Sequence, residues 1–168
     1  QRAVKAQKAG YFDSEIVPVE VKQKRTTVTV KVDEAPRPDT SLVALAKLKP
    51  AFKSDGSVTA GNASGINDGG AALVLASESA VNQLGLTPLA EWQGSAVVGL
   101  DPALMGLGPY YAINKLLKNQ QMAADDVDTY EINEAFATQA LVCQELLHLD
   151  PNAVNPWGGA IALGHPVG

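Results

Sequence analysis

Strand-like and helix-like segments alternate along the second half of the chain, and few folds accept that order. Each helix-like segment lies between two strand-like ones, which requires crossover connections. We therefore predict an α/β fold with a mainly parallel sheet. The predicted order is a strand at residues 94–99, a helix opening at Gly108-Pro109, a strand at residues 129–132, a helix from an Asn133 cap to about His148, and a strand at residues 153–155.

The first half of the chain contains shorter predicted elements. The run Ala71 to Ala76 is apolar throughout, which is typical of a strand buried on both faces. Residues 52–70 are mostly small or polar, so their backbone suits close packing against a ligand or another loop. The other predictions are a helix over residues 1–9, a hairpin of residues 16–21 and 26–32, a short helix from Asp39 or Thr40 to Lys49, and a helix from a Ser77 cap to Gly85.

Charge is distributed unevenly along the 168 residues. The net charge of −5 argues against nucleic acid as a partner. Residues 1–53 hold eleven Lys and Arg against six Asp and Glu, whereas residues 54–168 hold two against twelve. The basic front indicates either an anionic ligand or attraction between the two parts of the chain.

Location is inferred from what the sequence lacks. No run of 18 apolar residues occurs, which predicts no membrane association. The single cysteine, Cys143, excludes an internal disulfide and fits a reducing compartment. No targeting segment is recognisable, although the true N-terminus can lie upstream of Gln1. These features predict a cytoplasmic protein.

The last twelve residues, Trp157 to Gly168, contain four glycines, one histidine and one proline, and His165 is their sole titratable side chain. His165 is a candidate catalytic base, and the alternative is a turn whose histidine fills a hydrogen-bonding gap. Both Asn133 and this stretch follow predicted strands. Since ligands bind at the carboxyl ends of parallel strands, we expect the two to converge.

Five motifs together resemble the thiolase family of acetyl-CoA acetyltransferases, and the resemblance covers essentially the whole chain. The motifs are Leu45-Ala46-Lys47-Leu48-Lys49-Pro50-Ala51-Phe52, Val58 to Gly69, Met105-Gly106-Leu107-Gly108-Pro109, Asn133-Glu134-Ala135-Phe136 and Gly159 to Pro166.

The resemblance implies a layered αβαβα fold that is incomplete in this chain. Residues 1–66 would be the end of a loop domain that binds coenzyme A (CoA). Residues 67–88 would complete the N-terminal half, and residues 89–168 would form a truncated C-terminal half. The family also implies fatty acid metabolism and a homodimer or tetramer.

Residue roles follow from the same resemblance. His165 would activate a cysteine nucleophile, and Asn133 would hold a water that, with His165, forms an oxyanion hole. Ser64, Phe52, Ala60 and Arg37 would contact CoA, which is a substrate; neither a metal nor another cofactor is implied. On the residues alone, Asn133 is equally a helix cap, Ser64 a turn hydroxyl and Arg37 a solvated loop residue.

Neither family cysteine is expected within these 168 residues. Cys143 lies on the apolar stripe of its predicted helix and is interpreted as core packing. We therefore expect a thiolase fragment that is inactive alone. The alternatives are a non-catalytic acyl-CoA-binding or partner subunit and a related condensing enzyme, which would carry a histidine in place of Asn133.

Overall fold

A computed structural model describes residues 1–167 of the chain. Among the helices of these residues, none combines the length and the hydropathy that a bilayer crossing requires. The elements are α1 (Arg2–Lys8), β1 (Val19–Gln23), β2 (Thr26–Val30), α2 (Leu42–Leu45), β3 (Ile66–Asn67), α3 (Glu78–Leu84), a 3-10 helix (Pro102–Leu107), α4 (Gly108–Gln120), a second 3-10 helix (Ala124–Asp126), α5 (Ala137–Leu146), α6 (Ala160–Leu163) and β4 (His165–Pro166).

The predicted hairpin is present as the antiparallel pair β1–β2. Val19 lies opposite Val30 and Val21 opposite Val28, so the valines share one face. The first strand begins later than predicted, directly after Pro18, because proline has no N–H to donate to a ladder.

Helix ends follow their predicted signals in α3 but not in α2. The Ser77 hydroxyl accepts from the amide of Ala80 at 3.3 Å, and Gly85 ends α3 in the left-handed region at φ 63°. In α2 the cap is Ser41, whose hydroxyl accepts from Ala44 N at 3.2 Å, so the prediction of Asp39 or Thr40 is wrong.

The core lies where α4 and α5 meet the strand-like segments around residues 130 and 154. The amide of Tyr130 donates to Ala153 O and the amide of Asn155 donates to Tyr130 O, each at 2.8 Å, which makes a parallel bridge. The buried apolar side chains of this core are Tyr130, Ile132, Leu147, Leu149 and Val154, with Tyr110 and Ile113 of α4 packed against them.

Two predicted strands are not formed. Residues 71–76 have no regular structure, and the side chains of Leu73, Val74 and Leu75 are more than four-fifths exposed. Residues 94–99 are held by α4 instead, since Lys115 Nζ donates to Val97 O at 2.9 Å. A strand requires a ladder partner, and no described residue pairs with either segment, so the parallel sheet is reduced to two short pairings.

Candidate active site

The segment Asn62 to Asn67 is hydrogen-bonded to the Asn-Glu-Ala-Phe motif along one edge. The amide of Ser64 donates to Ala135 O at 3.0 Å, and the amide of Ala137 donates to Asn62 O at 2.8 Å. These bonds flank an antiparallel bridge between Ala63 and Phe136. They hold the loop that carries Asn133 beside Ser64.

The same segment continues into a parallel pairing with the Gly-His-Pro motif. Ile66 lies opposite His165 and Asn67 opposite Pro166, and the amide of His165 donates to Gly65 O at 2.9 Å. Residues 62–67 therefore bring together three motifs that are far apart in sequence, as expected for Asn133 and the glycine-rich stretch.

Three glycines of the final stretch each meet a different neighbour. At Gly158 (φ +98°) a Cβ would lie 2.6 Å from the Cβ of Ala3 in α1. At Gly159 a Cβ would lie 2.6 Å from both carboxylate oxygens of Glu134, and at Gly164 (φ +93°) it would overlap the Asn67 side chain. The glycines thus permit close approach of protein to protein around His165. Gly168 lies outside the described residues.

Asn155 and Glu134 form a polar network beneath this stretch. The amide side chain of Asn155, 3% exposed, accepts from Ile132 N and donates to Ile132 O, both at 2.8 Å. It also donates to Glu134 Oε1 at 3.2 Å, and the other oxygen, Oε2, accepts from Ile161 N at 3.2 Å. The network joins the strand-like segment around residue 130 to α6.

The pKa of the Glu131 carboxyl group is affected by Glu134 of the same network. Partial burial raises the pKa of Glu131 above its ordinary value, and the negative charge of Glu134 raises this pKa further. Two carboxylates therefore repel each other at the end of the strand-like segment that precedes Asn133.

The structure separates the predicted site residues into two groups. Ser64, Asn133 and His165 belong to the three joined segments; Ser64 and His165 are half-buried and Asn133 is exposed. Asn133 does not cap α5, whose first turn follows Phe136, so its helix-cap interpretation is wrong. The cause is the Ala63–Phe136 bridge, which keeps residues 133–136 extended beside Ser64.

The other three predicted CoA-contacting residues, Phe52, Ala60 and Arg37, lie on the surface. Phe52 is 79% exposed, and Ala60 is also exposed, in a loop closed by the bonds Ala51 N to Val58 O and Thr59 N to Asn62 Oδ1, both 2.8 Å. Arg37 is exposed and lines a cleft of about 310 Å³ with Gln1, Val4, Lys5, Lys8 and Pro38.

Cys143 is fully buried, and its thiol donates to Gly106 O at 3.3 Å. A nucleophilic thiol must reach its substrate, so this position agrees with core packing. The role of Asn155 is not predictable from the sequence. Its one signal was an asparagine before proline at the end of a predicted strand, and this pattern does not indicate burial.

Comparison with known proteins extends the thiolase resemblance to both parts of the chain. The family model "Thiolase, N-terminal domain" matches residues 1–79, and "Thiolase, C-terminal domain" matches residues 86–168. The chain is 54% identical to the beta-ketoadipyl-CoA thiolase of Pseudomonas aeruginosa, covering 100% of this chain and 42% of that protein. It is 52% identical to the mitochondrial 3-ketoacyl-CoA thiolase of Bos taurus, over 99% of this chain and 42% of that protein.

Solved structures agree in fold. The acetyl-CoA acetyltransferase of Bacillus anthracis superimposes with a TM-score of 0.93 at 51% identity, over 99% of this chain and 42% of that one. The dimeric peroxisomal thiolase of Saccharomyces cerevisiae gives 0.93 at 46% identity, and human mitochondrial 3-ketoacyl-CoA thiolase in complex with CoA gives 0.87 at 46%. Both alignments cover 100% of this chain and 42% of the solved one.

The prediction of a cytoplasmic location is contradicted by these relatives. They include the mitochondrial enzyme of Bos taurus and a peroxisomal 3-ketoacyl-CoA thiolase of Homo sapiens that is 51% identical, over 100% of this chain and 41% of that protein. A single cysteine excludes an internal disulfide but does not tell one compartment without disulfides from another.

Thiolase domain matches cover both parts of the chain, and the structure superimposes on solved thiolases over nearly its full length. The chain has the α/β thiolase fold and spans about two-fifths of the length of these relatives. It belongs to the thiolase family.

Proposed function

We propose that this chain is the part of a longer acyl-CoA thiolase polypeptide that supplies His165 and Asn133 to the active site. The reaction is the Claisen condensation of two acyl thioesters or its thiolytic reverse. The observation that carries the proposal is the pairing of residues 62–67 with both motif segments, which fixes the backbones at Ser64, Asn133 and His165 relative to one another.

His165 acts as the base of this reaction. Its imidazole removes a proton from a cysteine thiol to give the thiolate that takes the acyl group. Asn133 holds a water that, with His165, donates hydrogen bonds to the thioester oxygen when negative charge develops there. Since Cys143 is buried in α5, the nucleophile comes from outside these 168 residues.

Ser64, Phe52, Ala60 and Arg37 contact CoA, which is a substrate rather than a cofactor. The exposure of Phe52 and the position of Arg37 in a cleft beside Lys5 and Lys8 support this assignment. A basic cleft suits the phosphates of an anionic thioester, and a related human thiolase has been solved in complex with CoA.

The proposal includes a division of the chain and an assembly. Residues 1–66 belong to the CoA-binding loop domain, residues 67–88 to the N-terminal half and residues 89–168 to the C-terminal half. The polypeptide works in fatty acid metabolism as a homodimer or a tetramer; the dimeric yeast thiolase supports a homo-oligomer.

The test compares two histidines in the full-length protein that carries this sequence. His165→Asn is expected to lower kcat for acetoacetyl-CoA thiolysis at least about 100-fold, because the base and an oxyanion-hole donor are lost together. His148→Asn is the matched control, since His148 is exposed and its φ of 55° is one that asparagine tolerates. Equal activity of the two variants would refute the assignment.

The burial of the single cysteine also favours a second candidate, a non-catalytic acyl-CoA-binding or partner subunit. In this second candidate the 168-residue chain binds acyl-CoA beside a separate enzyme. Neither His165→Asn nor His148→Asn then changes the turnover of that enzyme. We expect the isolated chain to form no acetyl-CoA from acetoacetyl-CoA and CoA; turnover by this chain would contradict both candidates.

A further inference from the structure

Glu134 accepts hydrogen bonds from two donors that belong to different parts of the chain. Its Oε1 accepts from Asn155 Nδ2 and its Oε2 from Ile161 N, both at 3.2 Å. Each carboxylate oxygen therefore has its own N–H donor, and Glu134 directly follows Asn133. In glutamine one of these two oxygens is replaced by an NH2 group, which cannot accept the hydrogen bond that the oxygen receives.

Asn155 gives this carboxylate a rigid support. Its side chain is buried, and it bonds to both the N–H and the C=O of Ile132 at 2.8 Å, as a neighbouring strand would. Its own backbone amide donates to Tyr130 O at 2.8 Å within the core. Buried polar groups that are fully hydrogen-bonded specify one arrangement of their neighbours.

Ile161 gives the carboxylate its connection to His165. It lies in the first turn of α6, which ends at Leu163, and Gly164 then leads directly into His165. The carboxylate also lies so close to the Gly159 backbone that no Cβ fits between them. A shift of Glu134 would therefore move α6 and, with it, His165.

We propose that Glu134 is a positioning residue that fixes His165 relative to Asn133 by joining α6 to Asn155. This inference rests on the proposed thiolase function. Glu134 touches no reacting atom, and its effect is transmitted through the backbone from Ile161 to His165. Replacement of Glu134 by glutamine leaves one of the two donors without an acceptor. The imidazole of His165 is then still present but displaced.

The first experiment measures kcat and KM in the full-length protein. Glu134→Gln is expected to lower kcat about 10-fold to 100-fold, the cost of a misplaced catalytic group, with KM changed less than about twofold. Glu145→Gln is the control, because Glu145 is an exposed α5 residue outside the network; it is expected to keep full kcat. Equal kcat for the two variants would overturn the proposal.

A second experiment separates positioning from a general structural role. In Asn155→Asp two carboxylates face each other, whereas in Glu134→Gln/Asn155→Asp the new glutamine amide can donate to the new aspartate. We expect kcat of the double variant to exceed that of Asn155→Asp at least about fivefold. A difference of this size shows that the two substitutions, at residues in contact, are energetically coupled. Additive losses would overturn the proposal, as would a fall in kcat that disappears after normalisation to the folded fraction.

A third measurement distinguishes failure of this inference from failure of the proposed function. In a His165→Asn background, Glu134→Gln is expected to cause less than about a twofold further loss, because there is no imidazole left to position. A full additional loss would overturn the inference by showing that Glu134 acts elsewhere. If His165→Asn itself keeps wild-type turnover, the thiolase function fails, whatever Glu134 does.

Discussion

Asn155 shows how one side chain can substitute for a strand. It adopts φ 45°, which asparagine accepts more readily than most residues, and its side-chain amide bonds to both backbone groups of Ile132. Burial at 3% exposure makes each of these bonds expensive to lose. This one residue therefore stabilises the strand end from which Asn133 and Glu134 project.

The carboxyl group of Glu131 provides a pH-dependent prediction at the same scale. Its pKa is raised in the folded protein, first by burial and then by Glu134, so the folded state holds this proton to higher pH than the unfolded state does. The free energy of unfolding therefore falls as pH rises from the ordinary carboxyl value through the raised one. Glu131→Gln removes this loss of stability, because glutamine does not ionise.

We expect Glu131→Gln to raise the unfolding midpoint of the full-length protein at pH 7 and to leave it unchanged at pH 4. Solvent screening of this mostly exposed carboxylate keeps the gain below about 1 kcal/mol. Thermal unfolding at the two pH values measures the difference, with Glu145→Gln as the exposed control. A gain of equal size at pH 4 would contradict the repulsion argument.

At the scale of elements, the protection of backbone amides from water depends on which segments have hydrogen-bonding partners. The segments around residues 130 and 154 share a bridge and a core, and α5 packs beside them. Residues 71–76 have apolar side chains but no ladder among the described residues. Hydrophobic composition alone does not protect a backbone amide from water.

Hydrogen exchange of the isolated chain is expected to follow this division. The amides of Tyr130, Ile132 and Asn155 should exchange at least about 100-fold more slowly than those of residues 72–76, because these three residues are hydrogen-bonded within the core. Mass spectrometry of peptides from the two regions measures the ratio. Equal protection at Leu73 and Ile132 would contradict the assignment of residues 71–76 as unpaired.

The sequence predicts elements whose signals are local and misses those that depend on distant partners. Ser77 and Gly85 bound α3, and Pro109 lies in the first turn of α4, because a cap and a proline act on their own turn. The interpretation of Asn133 as a cap fails because Ala63, far upstream in sequence, holds Phe136 extended. That the segments carrying Asn133 and His165 lie at one edge was predictable from strand order, whereas the Glu134–Asn155 link was not.

At the scale of the whole molecule, the chain exposes far more surface than a compact protein of its mass. Its accessible surface is 13292 Å², against about 7,900 Å² expected for a monomer of this size. The excess includes large apolar side chains such as Val74, Leu89 and Trp92. Patches of this kind are usual where further protein packs.

The isolated 168-residue chain is therefore expected to bind the dye ANS and to unfold over a broad temperature range. The reason is that much of its apolar surface stays in water while α-helix is retained. Dye fluorescence and near-ultraviolet circular dichroism measure this, with the full-length protein as the non-binding control. A sharp, cooperative transition without dye binding would show that the chain packs by itself.

The pairing of residues 62–67 with both motif segments also bears on how fast the site can assemble. Gly65 bonds to His165 at a sequence separation of 100, and Ser64 bonds to Ala135 at a separation of 71. Closing loops of this length costs conformational entropy before any contact is gained, and folds dominated by such contacts form slowly. During synthesis, Ser64 and Ala135 leave the ribosome before His165, so the pairing of residues 65–67 with the Gly-His-Pro motif can form only after the intervening chain has been made.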